Sequence, residues 1–177
     1  MTTLVERIVA VAEALEHSGL PWAIGGALAL AYATEEPRGT RDIDVNVFVP
    51  ASRAGEVFAA LPHAVVATAH HVEEARRNDQ VRVWWDDTPI DLFFAADPFH
   101  DEVARRCRDV PFEGRTIHVL CAEDLAVFKA MFDRTKDWAD IEAMAEMGAI
   151  DLQLAADRLR SVLGDDARVL RLRTLDR

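Results

Sequence analysis

Residues 22–49, WAIGGALALAYATEEPRGTRDIDVNVFV, decide how the rest of the chain is read. Trp22 to Ile24 is a short apolar strand that runs into Gly25-Gly26, and Ala27 to Ala33 is an apolar helix opening directly after the glycines. Glu35 to Arg41 is a polar loop broken by Pro37 and Gly39. Asp42 to Val49 then alternates, with Ile43, Val45 and Val47 on one face and Asp42, Asp44 and Asn46 on the other, and Pro50 closes the strand.

Two carboxylates at i and i+2 on a strand share a face, with their Cα atoms about 7 Å apart. Without a cation such carboxylates repel each other, so stability alone disfavours the arrangement. Magnesium takes oxygen ligands and keeps its other positions for water and phosphate. A glycine pair at a strand-to-helix turn allows close backbone approach and leaves N–H groups at a helix N-terminus, which suits a triphosphate. Metal carboxylates beside a phosphate cradle describe a nucleotidyl-transfer site. A two-metal arrangement needs a third carboxylate on a neighbouring strand. Asp91, between Ile90 and Leu92 in an apolar strand, is the candidate. Pairing with an arginine is the other reading of a charge in that setting.

Working outward, Thr3 to His17 has helical spacing with Leu4, Ile8, Val11, Ala12 and Leu15 on one face. Ala51 to Leu61 and Thr68 to Asn78 read as helices. Gln80 to Asp86 and Pro89 to Ala95 read as strands joined at Asp87-Thr88. Pro98 to Asp109 reads as a helix and Thr116 to Leu120 as a strand. From Ala122 on the pattern is helical: Ala122 to Phe132, Lys136 to Met147, Asp151 to Leu163 and a terminal turn from Ala167. The expected organisation is an α+β core over 1–120 and a C-terminal helical segment over 121–177 packed on it.

The chain has 177 residues and a formal net charge of -11, which argues against a broad nonspecific nucleic-acid footprint. Of its basic residues only Lys129 and Lys136 are lysine. Arg105, Arg106 and Arg108, with Arg168, Arg171 and Arg173, form the basic concentrations that an RNA backbone would meet. No stretch is long and apolar enough to span a bilayer, and two cysteines make neither a disulfide framework nor a four-ligand zinc site. The chain reads as cytoplasmic.

The run at 22–49 resembles the first motif of the DNA polymerase β-like nucleotidyltransferase superfamily, and PIDLFF at 89–94 resembles its third-carboxylate strand. More narrowly, AEDLAVFKAMFDRTKDWADIEAM at 122–144 is similar to the C-terminal motifs of AbiEii/MenT-type nucleotidyltransferases, many of them toxins of toxin–antitoxin pairs. The resemblance implies a mixed-sheet, polymerase β-like core. It makes Asp42, Asp44 and Asp91 the ligands of two Mg²⁺ ions, and Gly25 and Gly26 phosphate contacts. Lys129 becomes the residue that balances triphosphate charge, and Asp137 or Asp140 the acid of the last motif. Arg41 and Lys136 join the nucleotide-binding set. Position by position, Asp137 also suits the dipole of a helix capped by Thr135, and Lys136 with Asp140 suits a surface ion pair. Gly-Gly replaces the family's commoner Gly-Ser, which removes one hydroxyl donor.

The reaction implied is transfer of a nucleoside monophosphate from an NTP to a hydroxyl. The role expected first is a toxin-like enzyme acting on tRNA or another macromolecule and held by an antitoxin; the alternatives are an antibiotic-type small-molecule adenylyltransferase, ranked second, and a non-catalytic binding protein on the same fold. Homo-oligomer formation stays open.

Overall fold

In the computed structural model, which describes residues 2–175, Thr3 and Glu6 close a capping box at the start of α1 (Leu4–Ser18). The helix buries Ile8, Val11, Ala12 and Leu15. It also buries Arg7, whose guanidinium bonds Asp86, Asp87 and Thr88 at a strand turn. Strand β1 (Trp22–Ile24) leads into α2 (Gly26–Thr34), and β2 (Ile43–Pro50) follows the loop. A 3-10 turn (Ala51–Arg53) precedes α3 (Ala54–Ala60), then come β3 (Val65–Val66), α4 (Ala69–Asn78), β4 (Gln80–Trp85) and β5 (Thr88–Ala95). Helix α5 (Phe99–Arg106), β6 (Arg108–Phe112) and β7 (Arg115–Val119) complete the mixed part. Four helices end the chain: α6 (Ala122–Phe132), α7 (Thr135–Glu146), α8 (Leu152–Leu163) and α9 (Ala167–Thr174).

The seven strands form one mixed sheet in the order β3-β4-β5-β2-β1-β7-β6. β2 lies parallel to β5 and antiparallel to β1, while β1 lies parallel to β7. The centre of the sheet is buried, with Ile43, Val45, Val47, Ile90 and Leu92 almost wholly out of solvent. This is the α+β, mixed-sheet architecture expected from the sequence. No helix among the described residues is long and apolar enough to cross a membrane.

The chain divides into two compact units, one of Met1–Gly26 with Gly39–Val119 and one of Ala27–Arg38 with Leu120–Arg177. The sequence reading kept 27–38 in the core, whereas the structure groups α2 with the C-terminal helices. GALALAYAT is apolar on every side, so its periodicity offers no face by which to assign it. Within the helical unit the buried side chains include Leu125, Ala126, Trp138, Ile141, Met144, Ala155, Leu159 and Leu172.

Four local expectations are corrected. The helix expected to reach Asp109 stops at Arg106, and Arg108–Phe112 forms a hairpin with β7. Glu113 (φ 49°) and Gly114 (φ 74°) make its turn, with the two positive φ angles that a tight hairpin needs. Pro111 is tolerated because β6 is an edge strand. The β4–β5 hairpin turns at Asp86-Asp87 rather than Asp87-Thr88, since Thr88 is buried and pairs with Trp85. The N-cap of α7 is Arg134, not Thr135, because the Asp137 carboxylate accepts from the Arg134 backbone N–H and guanidinium. Asp140 takes its hydrogen bond from Lys129 rather than from Lys136.

Candidate active site

The sheet unit positions its carboxylates by register. Asp44 on β2 is the Cα partner of Asp91 on β5, and Asp91 is the partner of Arg82 on β4. Adjacent strands lie about 4.8 Å apart, so these three side chains form one row across the sheet. Asp42, two residues before Asp44, shares its face, and its Oδ1 accepts a 2.7 Å bond from the Thr40 hydroxyl.

The glycine turn is fitted to Asp44. The Gly25 N–H donates to the Asp44 carbonyl at 2.9 Å, which ties the end of β1 to β2. Gly26 has φ +50°, and a Cβ built on it would lie 1.8 Å from Oδ2 of Asp44. Both the backbone angle and the contact exclude a side chain there. The Asp44 carboxylate thus lies directly against the Gly26 backbone.

Arg82 closes the row. Its Nε and Nη2 donate to Oδ1 and Oδ2 of Asp91 at 2.7 and 2.6 Å, a bidentate fork, and Nη2 is 3.9 Å from Oδ2 of Asp42. The hydrogen bonds to Asp91 raise the Arg82 pKa above its ordinary value, and the fields of Asp91, Asp42 and Asp44 add to this. Side-chain exposure is 48% for Arg82, 41% for Asp42 and 19% for Asp91, so the row is open to solvent. Sequence reasoning left an arginine partner for Asp91 open but did not identify Arg82. The signal was present: a two-residue turn at Asp86-Asp87 puts position 82 opposite position 91 by counting alone.

The row fits a divalent cation in the kind of donor it offers. All three acids supply oxygen, and they already gather one cation, the Arg82 guanidinium. As the side chains stand, no group of three or more His, Cys, Asp or Glu among the described residues is placed to hold a metal ion.

Of the remaining sequence candidates, Arg41 belongs to the sheet unit, and Lys129, Lys136, Asp137 and Asp140 belong to the helical unit. Arg41 is exposed just before β2. In the helical unit, Lys129 donates to Asp140 at 2.7 Å and lies 3.9 Å from Asp137, so three of the residues singled out from 122–144 meet in one cluster. Asp137 is fully buried and also holds Arg134, while Arg38 approaches Asp140 at 3.7 Å. Lys136 is exposed on the first turn of α7.

The fold matches solved nucleotidyltransferase structures at low sequence identity. The solution structure of the antibiotic-resistance factor ANT(2'')-Ia superposes with a TM-score of 0.65 at 17% identity, covering 98% of this chain and 96% of that one. The same protein in complex with adenylyl-2''-tobramycin gives 0.60 at 18% identity, covering 98% of each chain. The lincosamide antibiotic adenylyltransferase LnuA, bound to lincomycin, gives 0.57 at 14% identity, covering 83% of this chain and 99% of that one. No protein of curated function matches the chain in sequence. Over residues 3–170 the chain matches the model of one enzyme family, and it belongs to that family, the nucleotidyltransferases of unknown function called DUF6036.

Proposed function

We propose that this enzyme moves a nucleoside monophosphate from an NTP to a hydroxyl of a small-molecule acceptor, with Mg²⁺ held by Asp42, Asp44 and Asp91. The observation that carries the reading is the register that sets Asp44 beside Asp91, with Asp44 seated on Gly26. The acceptor oxygen attacks the α-phosphorus, the bond to the β-phosphate oxygen breaks, and pyrophosphate leaves. Bound Mg²⁺ supplies electrostatic stabilisation of the charge that builds on the phosphates. Asp91, the least exposed of the sheet acids that meet Arg82, accepts the proton of the attacking hydroxyl. Gly25, Gly26 and Arg41 belong to the phosphate-contacting set. Lys129, Lys136, Asp137 and Asp140 complete the nucleotide-binding residues, with Lys129 balancing charge on the triphosphate.

Two features support a small acceptor. The chain carries a net charge of -11, which repels a polyanion. Four arginines of its basic concentrations are engaged with acids: Arg106 with Glu102, Arg168 with Asp166, Arg171 with Glu142 and Arg173 with Asp157. The structural neighbours, the antibiotic-resistance factor ANT(2'')-Ia and the lincosamide antibiotic adenylyltransferase LnuA, lend the same reading weight. A toxin-like enzyme acting on tRNA under an antitoxin is the second reading, favoured by the run at 122–144.

The test is pyrophosphate release with each of the four NTPs and Mg²⁺, beside Asp44→Ala, with a panel of polyhydroxylated small molecules or total tRNA as acceptor. Release should need a small acceptor and fall by about a thousandfold in Asp44→Ala, the scale of several kcal/mol of lost charge stabilisation. Release that needs tRNA moves the toxin reading to first place. Full activity in Asp44→Ala sinks the site.

A further inference from the structure

Arg82 stands in the carboxylate row as the only group there that no part of the transfer reaction above employs. Both oxygens of Asp91 are engaged by its fork, at 2.7 and 2.6 Å, and its Nη2 lies 3.9 Å from Asp42. A second cation bound to those oxygens would sit within a few ångströms of the guanidinium, where two positive charges repel. Take the guanidinium away with no replacement and three carboxylates on one face repel one another instead.

We infer that Arg82 is a built-in counter-ion: it holds Asp42, Asp44 and Asp91 together while no divalent cation is present, and it must leave Asp91 for one to bind. The inference rests on the proposed metal role of those acids.

The geometry gives the guanidinium somewhere to go. Arg82 is half-exposed on a long side chain, so leaving Asp91 moves it into water rather than through packed atoms. Trp84, two residues on along β4 and therefore on the same face, is 43% exposed, and the Arg82 Cζ already lies 6.0 Å from its ring centroid. An aromatic face at that range holds a guanidinium weakly, by about 0.5–1 kcal/mol at an exposed site. A triphosphate brought in beside the row offers stronger anionic acceptors, in the bidentate geometry that arginine suits. Cation binding and nucleotide binding therefore support each other: the nucleotide draws the guanidinium off Asp91 and frees both of its oxygens.

A merely structural salt bridge predicts something different. Exposed ion pairs contribute little to stability, and β4 is held to β5 by its backbone ladder in any case. Removing Arg82 should leave the fold intact and change what the acids bind.

The experiment measures Mn²⁺ binding to the full chain without nucleotide, by the electron paramagnetic resonance signal of free Mn²⁺. The proteins are the wild type, Arg82→Gln, and Arg82→Gln combined with Asp44→Asn. Arg82→Gln should bind Mn²⁺ at least about tenfold more tightly, the scale expected from deleting a unit charge about 4–5 Å from a doubly charged ion in a water-like medium. The gain should vanish when Asp44→Asn is added. Equal or weaker binding by Arg82→Gln overturns the inference and leaves the metal reading standing. No Mn²⁺ binding by either protein, with or without NTP, overturns both. Should Arg82→Gln fail to fold, the wild type still decides. The Arg82 Nε–H NMR signal must shift as Mg²⁺ is added, and a signal unmoved at saturation ends the proposal.

Discussion

Asp91 and Asp124 each meet an arginine, one on the sheet and one among the helices, and the two pairs differ in nearly everything else. Asp91 lies in an open row where its partner Arg82 is half-exposed and other acids stand beside it. Asp124 has no exposed surface, and Arg158, itself mostly covered, donates to its Oδ1 at 3.0 Å while the Cys121 thiol donates to its Oδ2 at 3.2 Å. Asp137 repeats the second pattern, buried and held by Arg134 through two side-chain bonds of 2.6 and 3.1 Å. A buried carboxylate with both oxygens already bonded is fixed in place and has much to lose if its partner goes. An open one costs the fold little and can exchange partners. Asp124 and Asp137 are thus held by fixed partners, while the acids of the sheet row stand open to exchange.

The strongest way to break that contrast is Asp124→Ala. It strands the Arg158 guanidinium, which is only 18% exposed, and should lower stability by about 3 kcal/mol, the low end for breaking a buried pair. Urea denaturation reads this directly as a fall in the midpoint at unchanged slope. Arg82→Gln on the sheet should move the midpoint far less. Equal losses from the two substitutions would erase the distinction.

How far the sequence carries the reader follows the same division. Period-two alternation exposes Asp42, Asp44 and Asp91 at once, because a carboxylate among Ile, Val and Leu breaks a pattern visible within eight residues. The glycine turn is legible for a similar reason, as an interruption of an apolar run. Arg82 was hidden by one misplaced turn: joining the strands at Asp87-Thr88 puts Trp84 opposite Asp91, and only the turn at Asp86-Asp87 brings Arg82 there. Strand β6 was lost because Arg105, Arg106 and Arg108 continue an apparent helix past the point where Cys107 turns to extended backbone. Asp124 and Arg158 carry no local signature at all, being 34 positions apart on two helices. Their pairing is a product of packing. Lys129, Asp137 and Asp140 are singled out by resemblance, position alone leaves Asp137 and Asp140 with structural explanations, and only the structure brings the three together.

That cluster is where the contrast can be sharpened. Lys129 is nearly buried between α6 and α7, and its two carboxylates each keep another cation, Arg134 for Asp137 and Arg38 for Asp140. Lys129→Met therefore strands no acid entirely. It should cost about 1.5–2.5 kcal/mol, within the scale of one hydrogen bond to a charged group and less than Asp124→Ala. Kinetics then separate its roles. As a residue that balances triphosphate charge, it should raise KM for the NTP severalfold. A stability loss with KM unchanged would remove Lys129 from the nucleotide-binding set and class it with Arg158 and Arg134.

The smallest expected effect uses the thiols as reporters of the two regions. Burial, the leading cause, pushes the Cys121 thiol up to about 11, with the charge and side-chain hydrogen bond of Asp124 adding to it. At pH 8 a thiol with that pKa is ionised about one part in a thousand, and the thiolate is the form that alkylates. Cys107, on the sheet unit, is only partly buried. Iodoacetamide at pH 8, followed by peptide mass spectrometry, should therefore label Cys107 well before Cys121 in the wild type. Asp124→Ala removes the acid that the Cys121 thiol bonds and loosens the packing around it. Labelling of Cys121 should then accelerate while that of Cys107 stays as it was. Equal acceleration at both thiols would mean that the buried pair stabilises the whole chain rather than the helical unit in which it lies.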